Sequence, residues 1–244
     1  MTKRVAVWSQ PSDILQAVTD KARTSSRSDP RYIQMNTRHT TAKTRERYDR
    51  IARAYDVAEY PIERLLFKGW RKRLWSKVPH GHGLEVGVGT GKNIPFYPSD
   101  ATVTAIDLSP KMLERAKRRA DRVSINVDIA EMSVEQLEFE NDVFDWAVAT
   151  FAFCSVPDPI QGFRELNRVV KPRGEIYLLE HMRIDRPVIG KLMDLFNPIV
   201  VRLTGANINR RTVNNLAASG LKLEKVEDLV PLGLVKLIQA RSGE

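Results

Sequence analysis

From residue 79 onward the chain alternates between two hydrophobic patterns. Short apolar runs bounded by glycine, proline or acidic residues read as buried strands at Gly83–Val88, Ala101–Ile106, Ser124–Val127, Phe144–Phe153 and Gly174–Glu180. Between them, Lys111–Val123 and Ile160–Val170 have helical character. Two further β-rich segments, Leu221–Val230 and Val235–Ala240, meet around Pro231 and Gly233 and predict an antiparallel hairpin at one sheet edge. Repeated strand–helix units imply a mostly parallel sheet of seven strands with helices on both faces, an α/β fold.

The first third of the chain reads differently. From Tyr48 the pattern is helical, with Ile62, Leu65, Leu66, Trp70, Leu74 and Trp75 recurring at helical spacing and Arg64, Lys68, Arg71, Lys72 and Arg73 on the other faces. Two readings stay open. Either the helix lies on a membrane surface with its tryptophans at headgroup depth, or it packs on the sheet and shows a basic outer face. Residues 1–47 form a basic extension, of which residues 18–47 are rich in Arg, Ser and Thr and poor in large apolar side chains, the composition of a mobile segment. Val5–Trp8 and Ile14–Val18 stand out in it as a short strand and a helical turn.

Charge sharpens this division. The 244 residues carry 39 basic and 30 acidic side chains, a net +9. Residues 1–47 contribute +6, residues 48–78 contribute +4 and the remainder −1. A localised basic excess favours an anionic partner, whether nucleic acid, an acidic membrane surface or a targeting receptor. Cys154 is the only cysteine, which excludes an intramolecular disulfide framework. The four histidines have no metal-ligand spacing, so no metal is expected. No apolar run approaches the roughly 18 residues of a membrane span. No apolar core of a secretory signal follows Lys3 and Arg4, and interspersed acids argue against a transit peptide.

The chemistry concentrates in Leu84-Glu85-Val86-Gly87-Val88-Gly89-Thr90-Gly91, at a strand-to-helix turn. Glycines at alternate positions let the backbone turn sharply and come close to a ligand. Asp107 ends the next strand, where a carboxylate can accept hydrogen bonds from both ribose hydroxyls. The spacing is E-x-G-x-G-x-G and not the G-x-G-x-x-G that cradles a pyrophosphate. An acidic Glu85 beside the turn suits a cationic nucleoside ligand, which points to S-adenosylmethionine.

LEVGVGTGKN, AIDLSPKML, DWAVATFAFCSVPDP and LNRVVKPRGEIYLLEH resemble successive motifs of the class I S-adenosylmethionine-dependent methyltransferases, over roughly residues 48–240. YDRIARAYD and the LLEH ending resemble the branch that holds quinone-biosynthesis methyltransferases and bacterial soluble phosphatidylethanolamine N-methyltransferases. FCSVPDP, EHMR and NPIVVRLTGANINRRTV look closest to the phospholipid group, and are also similar to membrane-associated thiol methyltransferases of animals. The resemblance implies a Rossmann-like domain over 48–244, with a helical lid at 48–78 and the extension before it.

It also implies roles. Glu85, Gly87, Gly89 and Gly91 would line the methionine portion of the cofactor. Asp107 would hold the ribose, with Leu108 and Met112 beside the adenine. Ser133 occupies the place of a family aspartate that bonds the adenine amino group, with Val134 next to it. Thr150 and Phe151 would face the transferred methyl group, and Tyr48 and Tyr55 would belong to the lid. His181 follows the fifth strand and could accept a proton or bind the acceptor, with Glu180 and Asp185 as neighbours. Cys154 lacks an evident base and reads as a packed thiol.

The implied activity is methylation of a lipid-borne nucleophile, first the amine of phosphatidylethanolamine. Aromatic faces of Phe151, Phe153 or Tyr55 would stabilise the growing cation. The alternative is C-, O- or S-methylation of a quinone precursor or other small molecule. A nucleic-acid substrate is not expected, because the N/D-P-P-Y/F motif of base-amine methylation is missing where FAFCSVPDP stands. The expected setting is cytoplasmic, peripheral at the inner face of an anionic membrane. Oligomeric state is not legible.

Overall fold

The structure is a computed structural model, and it describes residues 30–243. The expected elements at Val5–Trp8 and Ile14–Val18 lie outside those residues.

Helix α1 (Pro30–Ile62) runs into a π-helical turn, Glu63–Phe67, and then α2 (Lys68–Trp75). The domain boundary read at residue 47 therefore falls within a helix. Strand β1 (Gly81–Val86) leads through the glycine turn to a 3₁₀ turn at Ile94–Phe96 and to β2 (Ala101–Asp107). There follow α3 (Pro110–Val123), β3 (Asp128–Glu131), β4 (Phe144–Thr150), α4 (Pro159–Val169) and β5 (Val170–His181). Helices α5 (Pro187–Thr204) and α6 (Thr212–Ala218) precede β6 (Lys222–Asp228) and β7 (Val235–Arg241).

The seven strands lie in the order β3-β2-β1-β4-β5-β7-β6. β1 pairs in parallel with β2 and β4, and β4 with β5. β7 runs antiparallel to both β5 and β6. The C-terminal pair is thus an antiparallel hairpin at one sheet edge, as the sequence predicts, with β7 between β5 and β6 and β6 as the edge strand. This is the Rossmann-like arrangement with a mostly parallel sheet.

The period-2 alternation of central strands feeds two cores. Ala147, Ala149, Ile176, Leu178, Ile238 and Ala240 face Phe163 and Leu166 of α4 and Leu216 of α6. Trp146, Val148, Tyr177, Leu179 and Leu237 face Leu74 and Trp75 of α2 and Leu113 and Ala116 of α3. Burial on both faces explains why these strands read as unbroken apolar runs.

Three expectations change. The third strand is Asp128–Glu131; Ser124 takes a left-handed conformation that caps α3, so Ser124–Val127 is the connection. β4 stops at Thr150, because Phe151 has φ +54° and turns the chain out of the sheet. The two tryptophans of α2 do not share one exposed face. Trp75 is buried against Tyr97 and Trp146, with ring centroids 4.7 and 5.8 Å away, and Trp70 packs on Phe67. Helices α5 and α6 have no counterpart in the sequence reading.

Glycine packing supplies a paired stability test. A Cβ at Gly83 would lie 2.2 Å from the ring of Trp146, which is fully buried, so Gly83→Ala overpacks the sheet. A Cβ at Gly69, inside α2, meets nothing within 4 Å. In urea unfolding, Gly83→Ala is expected to cost about 3 kcal/mol, and Gly69→Ala to add about 0.5–1 kcal/mol through helix propensity.

Candidate active site

The carboxyl ends of β1, β2 and β4 open into a cavity of about 930 Å³ including its mouth, the size of a ligand pocket. Its wall brings together Tyr48, Tyr55, Gly87, Gly89, Asp107, Leu108, Met112, Ser133, Val134, Thr150 and Phe151, all read from the sequence. Glu85, Gly91 and His181 do not line it.

The turn after β1 is built for close approach. Gly87 has φ +70° and a Cβ there would strike that of Ala152 at 2.5 Å. Gly89 has φ +55°, and a Cβ on it would meet no atom nearer than the Gly87 carbonyl at 4.0 Å. Side-chain space at Gly89 is therefore cavity. Gly91 serves packing, since a Cβ would lie 2.9 Å from Cα of Ala116 in α3.

Asp107 ties the turn to β2. Gly89 N–H donates to its Oδ2 and Ser109 N–H to its Oδ1, both at 2.9 Å. Burial nevertheless lifts its carboxyl above the usual range. Leu108, Met112, Met132 and Val134 form an apolar slot beside it. Ser133 Oγ accepts the N–H of Glu135 at 3.2 Å, and so is drawn into a local turn. Residues of this character fit S-adenosylmethionine, with a carboxylate for the ribose, a slot for the base and an uncluttered glycine turn.

Glu85 stands behind the wall, 1% exposed. Its Oε1 accepts from Asn93 Nδ2 at 2.7 Å and its Oε2 from the Tyr97 hydroxyl. Asn93 Nδ2 also donates to Thr150 Oγ1 at 2.9 Å, and Arg71 donates to Asn93 Oδ1 at 2.9 Å. Burial raises the Glu85 carboxyl to about 7, opposed by these hydrogen bonds and by the Arg71 charge.

The N-terminal segment closes over the cavity through polar latches that the sequence reading missed. Thr90 Oγ1 donates to Asp56 Oδ1 at 2.6 Å, and Arg115 and Arg119 donate to Oδ2 at 3.0 and 3.2 Å. Burial opposes ionisation of Asp56, but these partners and Lys92 outweigh it and hold its carboxyl below the ordinary value. Asp49 accepts from Ser109 Oγ at 2.6 Å, at the N-terminus of α3, where a carboxylate is favoured. The Tyr48 hydroxyl shares a 2.5 Å hydrogen bond with Ser155. Lys92 lies 5.3 Å from the Tyr55 ring centre. None of these pairs has a fixed sequence spacing, which is why they were not legible.

His181 sits one ring away from the cavity. It stacks on Phe151 with centroids 6.5 Å apart, and its Nε2 lies 3.2 Å from the Asn207 carbonyl, which assigns the proton to that nitrogen. Burial pushes its pKa down, so the ring is neutral. Phe151 itself carries the Arg71 guanidinium at 5.8 Å and Phe67 at 4.6 Å. Phe153 stacks on Phe163 in the core and does not face the cavity. Cys154 is buried, and burial pushes its thiol up to about 12, as a packed thiol requires. Glu180 Oε1 accepts the N–H groups of Ala152 and Phe153 at 2.9 Å each, and burial raises its carboxyl to about 7. Asp185 is exposed and paired with Arg183 and Arg211. Among the described residues no group of side chains could hold a metal.

Glu85 supplies a pH test. A carboxyl whose folded value is raised holds its proton in the native state after the unfolded chain has lost it. Its contribution to stability is complete below its ordinary value of 4.5 and declines as pH rises to about 7. Glu85→Gln keeps both hydrogen bonds if Tyr97 becomes the acceptor. Urea unfolding is expected to show the wild-type minus variant stability difference falling between those two pH values and flat above them. A difference flat throughout would refute the raised value.

A family model described as a methyltransferase domain matches residues 84–178. Phosphatidylethanolamine N-methyltransferase of Cereibacter sphaeroides is 35% identical over 108 residues, 43% of this chain and 53% of that one. Demethylmenaquinone methyltransferase of Staphylococcus aureus is 31% identical over 165 residues, 65% of this chain and 68% of that one. The chain thus spans about half the length of the first of these relatives. A solved Thermotoga maritima structure, described as an S-adenosylmethionine-dependent methyltransferase and possible histamine N-methyltransferase, superposes with a TM-score of 0.63 at 19% identity. It covers 81% of this chain and 99% of that one. Taken with the strand order and the glycine turn bound to Asp107, these matches show that the chain belongs to the S-adenosylmethionine-dependent methyltransferase family.

Proposed function

We propose that this protein methylates a lipid-borne nucleophile, first the amine of phosphatidylethanolamine. The observation that carries the cofactor part is Gly89, whose missing side chain is cavity and whose N–H is fixed by Asp107. Bound S-adenosylmethionine supplies a methyl group already activated on a sulfonium. The chain's task is to position, to shield and to select.

Asp107 retains free lone pairs beyond its two backbone bonds and holds the ribose hydroxyls. Leu108, Met112 and Val134 enclose the base, with Ser133 at its edge. Arg71 and Lys92, both in the cavity wall, supply positive charge for the carboxylate end of the cofactor. Glu85 and Gly91 shape the turn from behind. Thr150 and Phe151 face the transferred methyl group, and Tyr48 and Tyr55 exclude water from the lid side. His181 is a positioning residue. Its neutral ring bridges Phe151 and the Asn207 carbonyl, and so fixes the aromatic wall against the loop after α5.

The lipid acceptor is supported by the phosphatidylethanolamine enzyme among the relatives and by the apolar residues Phe151, Val156 and Pro157 in the cavity wall. A second reading, methylation of a prenylated quinone precursor, is favoured by the relative of which this chain covers 68%. Radiolabelled donor separates them. Purified protein with phosphatidylethanolamine vesicles is expected to yield labelled methylated phospholipid. Label appearing only in an added demethylated quinone supports the second reading, and label in neither lipid overturns the proposal.

A further inference from the structure

Helix α5 carries more apolar side chains than its seat on the domain covers. Its inward side is only half-buried, with Ile189, Val200 and Val201 beside small or polar contacts. Gly190 is its sole buried residue, and a Cβ there would strike the Arg183 guanidinium at 2.4 Å. Met193 Sδ accepts the Ile184 N–H at 3.3 Å, and Asn197 bonds to Asn207 and to the Ile208 N–H at 3.1 and 2.9 Å.

The outward face is apolar. Val188, Leu192, Leu195, Phe196, Ile199 and Leu203 succeed one another at helical intervals and form a single stripe. Val188, Leu195 and Leu203 are 71, 68 and 73% exposed. A continuous stripe of this kind marks an interaction surface, since scattered exposed residues would not align. Lys191 and Arg202 are exposed along one border of the stripe. The helix's one acid, Asp194, is neutralised by Arg183 at 2.8 Å and bonded to Asn209 at 3.1 Å. The face therefore offers apolar side chains and uncompensated positive charge.

Its position matters as much as its composition. Asn207, bonded to Asn197 of α5, donates through both its backbone N–H and its Nδ2 to the Cys154 carbonyl, at 3.0 and 2.9 Å. The next residues, Ser155, Val156 and Pro157, line the cavity. Gly205, at the end of α5, lies against Arg47 of α1, the helix that carries the lid tyrosines. The stripe is thus joined through Asn197 and Asn207 to a segment of the cavity wall.

We propose that α5 is a bilayer-docking helix, which lies in the interface of an anionic membrane with its apolar stripe inserted and Lys191 and Arg202 at headgroup level. A second copy of the chain is a poorer occupant, because a net +9 and the cationic border would bring like charges together. An anionic lipid surface satisfies both halves of the face at once. The proposal deepens the lipid-acceptor reading by giving the route to the lipid.

Co-sedimentation of the full chain with phosphatidylglycerol–phosphatidylcholine vesicles tests it, and these contain no methylatable amine. Failure of the acceptor assignment would therefore leave this measurement untouched. Wild type is expected to bind. The pair Leu195→Asp and Ile199→Asp is expected to lower partition by about tenfold or more. Lys191→Glu and Arg202→Glu should each lower it by about fivefold at low salt and much less at high salt. Unchanged donor binding by calorimetry shows that each variant is folded, as the exposure of the stripe requires. Absence of vesicle binding by wild type would overturn the proposal, as would stripe variants that bind equally well. So would sedimentation velocity showing a vesicle-free dimer that the stripe substitutions dissociate, since it would give the face to a second copy.

Discussion

The architecture of the site hangs on one buried polar chain, from Glu63 through Arg71 and Asn93 to Glu85. Arg71 Nε lies 3.0 Å from Glu63, its Nη1 reaches Asn93, and Asn93 reaches both Glu85 and Thr150. These few bonds join α2, the glycine turn, the end of β1 and the end of β4. An ion pair so enclosed is no source of stability in itself, because desolvation offsets the attraction. Its importance is geometric. Removing any member leaves another buried polar group unmatched, so the strand ends and the helix above them are held in one arrangement.

Carboxylates recur along this edge of the sheet. Asp107 ends β2, Glu85 lies near the end of β1, and Glu180 is near the end of β5. Asp107 and Glu180 each bind two backbone N–H groups of the loop after a neighbouring strand or their own. In each case burial raises the carboxyl above its ordinary value. Only Asp107 of the three reaches the cavity wall. Glu85 and Glu180 act from behind it, holding the ends of β1 and β4 and the loop after β4 through hydrogen bonds.

The legible features are the local ones. The strands, the glycine turn and Asp107 are each declared by neighbours in sequence, through an apolar run, a positive-φ requirement or a strand end. Asp56 and Asp49 were invisible because their partners stand 34 to 63 residues away and no periodicity links them. Phe153 was misread because an extended strand would place it at the edge, whereas the turn at Phe151 sends it into the core. Helix α5 escaped notice for a different reason. Its apolar residues alternate correctly for a helix, but Pro198 and the NINRR segment after it disguise it, and the apolar face points outward.

The basic helix near residue 70 shows how one residue can redirect such a pattern. On an ideal helix Leu65 stands nine residues from Leu74, and Leu66 nine from Trp75, about 180° in each case, so the apolar run from Ile62 to Trp75 divides between two faces. In the structure Leu74 and Trp75 are buried while Leu65 and Leu66 are exposed. What the π-helical turn changes is the polar register, with Lys68 N–H donating to the Glu63 carbonyl across one extra residue. That insertion rotates the helix before it by about 100° relative to α2. Arg71 stands three and four residues before Leu74 and Trp75, on their inward face, and so meets Asn93. Glu63, about 80° away from it on an ideal helix, comes to within about 20° after the rotation and pairs with it. The local distortion therefore closes the Glu63 end of the buried polar chain, while the Arg71 end follows from the ordinary register of α2.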